Sequence, residues 1–294
     1  MKIPDFLNLH FITKGLLIFF LISSSFSFIF SGPTQTEKSW LSRYNFNSAD
    51  QQKYFLDNDL REISGLALSV DGRLFAHNDE KGVVYELDEE NGKIIKKFRI
   101  GKETVRGDFE GLAIATRAFY IITSSGKIIE FTEQKNNGYS DYRIFDTGLI
   151  SDFDVEGLCY DSETYSLLIA CKGIAGKNLK GRKAIYSFSL TEKKLLKQPR
   201  FLISLDDLKK KYGLKNFSPS GIEIHPSVKT IFVLSSDSKS VLELSRDGNV
   251  LDCRKLNSDF HPQPEGITFL NDRTMVISDE GGDGKAILTF YKNK

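Results

Sequence analysis

Phe109-Glu110-Gly111-Leu112-Ala113 is one of five related pentapeptides in this chain. Glu62-Ile63-Ser64-Gly65-Leu66 precedes it. Val155-Glu156-Gly157-Leu158-Cys159, Pro219-Ser220-Gly221-Ile222-Glu223 and Pro264-Glu265-Gly266-Ile267-Thr268 follow. The glycines stand at 65, 111, 157, 221 and 266, so the spacings are 46, 46, 64 and 45. The long interval holds Leu205-Asp206-Asp207-Leu208-Lys209-Lys210-Lys211-Tyr212-Gly213, which reads as a short helix stopped by glycine. Without that insertion the period is restored.

Each unit carries the same internal pattern. A first strand follows the glycine, a tight turn such as Asp71-Gly72 reverses the chain, and a strongly apolar second strand returns. An alternating third strand and, in most units, a fourth complete it, with Asn91-Gly92 and Asp247-Gly248 as hairpin signals. Four strands repeated about every 45 residues read as propeller blades. The expected fold is therefore an all-β, five-bladed β-propeller, with a sixth, degenerate blade around residues 189–217 as the weaker alternative. The last unit has three strands before Lys294. Residues from Trp40 to Leu56 are expected to supply the missing outer strand and remove an open edge.

Gly15 to Phe30 reads GLLIFFLISSSFSFIF, without a charge, after Lys2 and Lys14. Such a run is an export signal, either cleaved near Ser25–Ser31 or kept as a hydrophobic helical membrane anchor. This divides the chain into residues 1–32 (signal or anchor), 33–50 (polar linker) and 51–294 (propeller). The domain is expected on the outer side of a cell membrane, anchored or secreted, as a monomer. The 40 basic and 39 acidic residues nearly cancel, which leaves no electrostatic footprint for nucleic acid. Three cysteines without a C-x-x-C pair indicate neither zinc nor a disulfide framework. Cys159 and Cys171 lie on adjacent strands but out of register for a bridge.

In a propeller the first strands line the axis, so the residues before the repeat glycines converge at one face. The second strands end at that face too. Topology therefore gathers Glu110, Glu156, Glu265, Asp79, Asp237 and Asp279 at one rim, with Glu62 and Glu223 slightly off the repeat position. Carboxylates massed without lysine or arginine repel one another. A hard cation resolves the repulsion, and Ca²⁺, which takes six to eight oxygen ligands, suits this donor set. The alternative is an acidic rim solvated by water alone. His77 is the candidate base if the site is catalytic.

With these motifs the chain resembles the SdiA-regulated family of propellers, distantly similar to NHL-repeat proteins. The resemblance rests on the pentapeptides, on Leu234-Ser235-Ser236-Asp237-Ser238 and on Val276-Ile277-Ser278-Asp279-Glu280. It implies five blades, a bound calcium, an N-terminal membrane segment and no established enzymatic activity. Blade one departs from the pattern, with Ser64 where a glutamate would add a ligand. The expected function is an envelope-associated calcium-binding propeller that binds a small molecule or protein at its channel face. The alternatives are a calcium-dependent hydrolase of esterase, lactonase or phytase type and a metal-free scaffold.

Overall fold

The computed structural model describes residues 38–46 and 51–294. The expected N-terminal hydrophobic helix and the candidate cleavage sites lie outside the described residues. Among the described residues no helix is long and apolar enough to cross a membrane.

Five antiparallel sheets form the ring. Blade one runs Ile63–Leu68, Leu74–Asn78, Val83–Leu87 and Ile94–Ile100 from the axis outward. Blade two runs Phe109–Ala115, Ala118–Thr123, Lys127–Thr132 and Tyr142–Asp146. Blade three runs Val155–Asp161, Ser166–Cys171 and Arg182–Ser189, and its outer edge is split between Lys194–Leu195 and Phe201–Ser204. Blade four runs Pro219–Ile224, Ile231–Ser235, Ser240–Leu244 and Val250–Lys255. Blade five runs Pro264–Phe269, Met275–Asp279 and Ile287–Tyr291, closed by Gln52–Phe55 from the start of the domain. The expected closing strand is thus present, with Tyr54 opposite Leu288. Residues 189–217 hold the split edge of blade three and the helix Leu205–Tyr212, which excludes a sixth blade. Ser204 caps that helix by accepting from Asp207 N, and Gly213 ends it at φ +69°. One short strand is not evident in the sequence: Tyr139–Ser140 adds in parallel to the outer strand of blade one.

The repeat glycines follow from crowding at the axis. A Cβ on Gly111 would lie 2.6 Å from Leu158 N, and one on Gly221 would lie 2.6 Å from Glu265 O. Each repeat glycine abuts the inner strand of the next blade, and Gly266 against Leu66 N closes the ring. Between neighbouring blades lie five apolar clusters. Phe75, Phe98, Phe119 and Phe131 fill the one between blades one and two, with edge-to-face contacts at 5.1 and 5.8 Å. The three cysteines are buried and free. Cys159 faces Leu168 and Cys171 faces Val155, so their strands hold them out of register for a bridge.

Residues Ser39–Phe46 belong to the expected linker, yet they are docked. Buried Glu243 of blade four accepts on Oε2 from Ser39 Oγ (2.6 Å), Trp40 N (2.7 Å) and Leu41 N (3.0 Å). Its other oxygen accepts from Thr230 Oγ1 at 2.8 Å. Tyr44 donates to Arg273 O at 2.9 Å, and Leu41, Tyr44 and Phe46 join the cluster between blades four and five. A polar composition hides this strap because one internal carboxylate satisfies its backbone donors.

Candidate functional site

A β-bulge at the same place in every blade builds the site. Ile63 pairs with Asn78 and Gly65 with His77, so Ser64 is the extra, unpaired residue. Glu110, Glu156, Ser220 and Glu265 are the extra residues of the other four blades. A bulged residue leaves the ladder and its side chain is re-aimed. The fivefold repetition puts two serines and three glutamates around the axis at one face, the mouth.

The three glutamates are poorly compensated. Burial, followed by the charges of Glu156 and Asp108, pushes the Glu110 carboxyl up to about 9. Burial and the charge of Glu156 push Glu265 up to about 8. Burial also raises Glu156, against the pull of Lys172, whose Nζ lies 2.8 Å from Glu156 Oε1. Lys172 corrects the expectation of a rim without basic groups. Ser64 Oγ donates to Glu110 at 3.3 Å, while Ser220 Oγ turns to Pro264 O.

A second polar ring surrounds the first. The residues just past the second strands' pairing to the inner strands are Asp79, Ser124, Lys172, Ser236 and Glu280. Lys172 serves Glu156, Ser236 bonds Glu265, and Ser124 donates to Asp108 at 2.5 Å. Glu280 accepts from Gln263 Nε2, and Asp79 has no such partner on its Oδ1. Asp79 N donates to Glu62 O at 3.1 Å and Gly281 N to Arg61 O at 2.8 Å, which ties three chain segments together. Glu62, Asp79 and Glu280 then offer carboxylate oxygens all within 4.8 Å of one another. Among the described residues this is the one group of three acidic, histidine or cysteine side chains so close. Burial, Glu62 and Asp79 push Glu280 up to about 7, and burial and Glu62 raise Asp79. Asp79 Oδ1 is buried without a hydrogen-bond partner, and Arg61, 3.0 Å from Glu62, is the cation paired within the trio.

The six expected residues therefore separate. Glu110, Glu156 and Glu265 ring the axis, and Asp79 stands beside them with Glu62 and Glu280. Asp237 is exposed, one residue beyond the second ring, with its charge felt by Lys183. Asp279 is fully buried: Oδ2 faces His261 Nδ1 at 2.7 Å and Oδ1 accepts from Gln263 N at 3.2 Å. His261 in turn meets the Tyr291 hydroxyl. Asp279 pairs with Pro264 as Asn78 pairs with Ile63, so the counterpart of Asp79 is Glu280. Strand alternation turns Asp279 into the blade and Glu280 toward the mouth. Glu223 lies two residues past its glycine, where it accepts from Ile224 N and Thr268 Oγ1. His77 is not a rim base. It is wholly buried, its Nε2 lies 2.5 Å from where a Gly65 Cβ would stand, and burial lowers it to about 4.

The family model for SdiA-regulated proteins matches residues 36–282, and the chain belongs to that family. No curated protein matches the chain. Its fold is similar to that of a luciferin-regenerating enzyme, with TM-score 0.53 and 10% identity over 83% of this chain and 95% of that one. It is also similar to a glutaminyl cyclase from Myxococcus xanthus, with TM-score 0.51 and 14% identity over 82% and 94%. At such identities these likenesses show the propeller fold alone.

Proposed function

We propose that this propeller binds Ca²⁺ at its mouth and uses that face to bind a small molecule or a protein at the cell envelope. The observation that carries this reading is the trio Glu62, Asp79 and Glu280 with the unpartnered, buried Asp79 Oδ1. An orphaned carboxylate oxygen among other carboxylates is costly unless a cation meets it. The donor set is all oxygen and anionic, which fits a hard divalent cation better than zinc. Glu62, Asp79 and Glu280 would hold the ion, with Glu265 as the acid whose charge reaches Glu280. A bound Ca²⁺ would supply positive charge able to attract an oxygen of an incoming ligand. The chain's own residues hold the frame: Arg61 fixes Glu62, and Lys172 and Ser236 orient Glu156 and Glu265.

Thermal unfolding of the full chain in Ca²⁺ and in chelator tests the reading. A ligand that binds only the folded state at 100 times its Kd stabilises by about 2.7 kcal/mol. That corresponds to roughly 5–10 °C for a domain of this size. Asp79→Asn is expected to abolish the shift. An identical melting temperature in both buffers would sink the proposal.

A further inference from the structure

We propose that the carboxylate trio is the clasp of the ring: a divalent cation shared by Glu62, Asp79 and Glu280 holds the closing strand Gln52–Phe55 in place, and its removal loosens that joint before any other. The proposal rests on the cation reading of the mouth and adds its consequence for the fold. Blade five takes three consecutive strands from the last part of the domain and its fourth, Gln52–Phe55, from the first part. The four residue pairs between that strand and Ile287–Tyr291 therefore close the ring without a hairpin. In blades one and four each strand follows its neighbour along the chain. The closing strand is also poorly buried: both of its end residues are exposed, Phe55 by 71%. Strands with few buried contacts open first.

The trio lies across this joint. The closing strand runs through Leu56 and the turn Asn58–Leu60 to Glu62, and Asp79 follows the second strand of blade one, whereas Glu280 follows the second strand of blade five. Two backbone bonds cross at the same place, from Leu56 N to Ala286 O at 2.9 Å and from Gly281 N to Arg61 O at 2.8 Å. Parting them moves Glu280 away from Glu62 and Asp79, so the open joint has no site of three carboxylates. The other joints lack the feature. Asp79 N donates to Glu62 O, and the bonds from Ser124 N to Asp108 O, Lys172 N to Asp154 O and Glu280 N to Gln263 O repeat that contact. With the bulge register they align one triplet at each joint, and each of the other four triplets holds a serine or a lysine. Among the described residues, three acids meet only where the first and last blades join. Arg61, 3.0 Å from Glu62, and Lys81, which lines the same opening with Glu80, supply part of the countercharge. The repulsion of Glu280 by Glu62 and Asp79 acts across the joint and favours its opening. A bound cation reverses that force.

Hydrogen exchange of the full chain, read by mass spectrometry near pH 8 in Ca²⁺ and in chelator, tests the clasp. The reporters are the closing strand Gln52–Phe55 and the similarly exposed outer strand of blade two, Tyr142–Asp146. A cation at 100 times its Kd that binds only the closed joint reduces opening about 100-fold. Exchange in the closing strand should slow by that order, and in Tyr142–Asp146 by less than about threefold. Glu280→Gln removes the charge on the blade-five side. In chelator it should slow exchange in the closing strand about twofold or more relative to the parent, and Ca²⁺ should add little to that. Three results would overturn the clasp and leave the cation reading standing: equal slowing of the two strands, a closing strand indifferent to Ca²⁺ in a chain that binds the ion by calorimetry, or faster exchange there in Glu280→Gln in chelator. A chain that takes up no Ca²⁺ by calorimetry would refute the cation reading and the clasp with it.

Discussion

Glu243 and the glutamates of the mouth are the same side chain in opposite circumstances. Glu243 is fully buried, yet four donors from Ser39, Trp40, Leu41 and Thr230 converge on its two oxygens. Glu110, buried less completely, has Ser64 as a donor and Glu156, Asp108 and Glu265 as neighbours. A buried carboxylate with its bonds filled is a fastener. One pressed against other carboxylates stores repulsion that a cation can release. The difference separates acids whose bonds are filled from acids that repel one another.

The contrast can be broken at the fastener first. Glu243→Ala removes the acceptor of three strap groups, and each stranded buried donor costs about 1–3 kcal/mol unless the strap undocks. The expected loss is about 3 kcal/mol, read as a melting temperature lower by roughly 6–12 °C. Limited proteolysis near residues 38–46 should accelerate in step. A variant that melts like the parent would show that the strap adds nothing.

The mouth should respond to pH. Glu280, Glu265 and Glu110 are raised to about 7, 8 and 9, above the usual glutamate value. The folded state therefore holds their protons more tightly than the unfolded chain. Their contribution to stability is complete below about pH 4.5 and is lost as pH rises through 7 to 9. In chelator, the melting temperature should fall between pH 5 and 9, and Ca²⁺ should flatten that slope by favouring the ionised forms. A chelated protein whose stability rises over this range would contradict the assignment of the mouth as repulsive.

The smallest effect separates Glu110 from its neighbours. Glu110→Gln mimics the protonated carboxyl, so stability in chelator near pH 4, where the parent is protonated folded and unfolded, should change by less than about 0.5 kcal/mol. Near pH 8 the variant should exceed the parent by about 1 kcal/mol or more, because its unfolded form gains nothing by ionising. Denaturant titrations at the two pH values measure this crossing.

The blades were legible because crowding at the axis imposes a glycine that no other residue replaces, as Gly111 against Leu158 N shows. The closing strand was legible as well, since three strands in the last unit leave an edge. The axial glutamates were placed by topology, although the bulge that aims Glu110 and Glu156 leaves no mark in a single pentapeptide. Strand-end positions in the sequence do not resolve the register of the second ring. Asp79 and Asp279 look equivalent by their strand-end positions, but ladder register equates Asp79 with Glu280. One position along a strand reverses the face, and the hairpin turns alone did not fix it. Counting outward from the partner of each repeat glycine gives the right set: Asp79, Ser124, Lys172, Ser236 and Glu280. Docking of the strap was out of reach, because its anchor, Glu243, is some 200 residues away and reads as an ordinary alternating strand residue.

Calorimetric titration of Ca²⁺ into the full chain, beside Asp79→Asn and Glu280→Gln, addresses the central claim. The account predicts a saturable heat for the parent and an affinity weaker by roughly tenfold or more, about 1.4 kcal/mol, in each variant. Absence of saturable heat in the parent, or equal affinity in all three proteins, would contradict it.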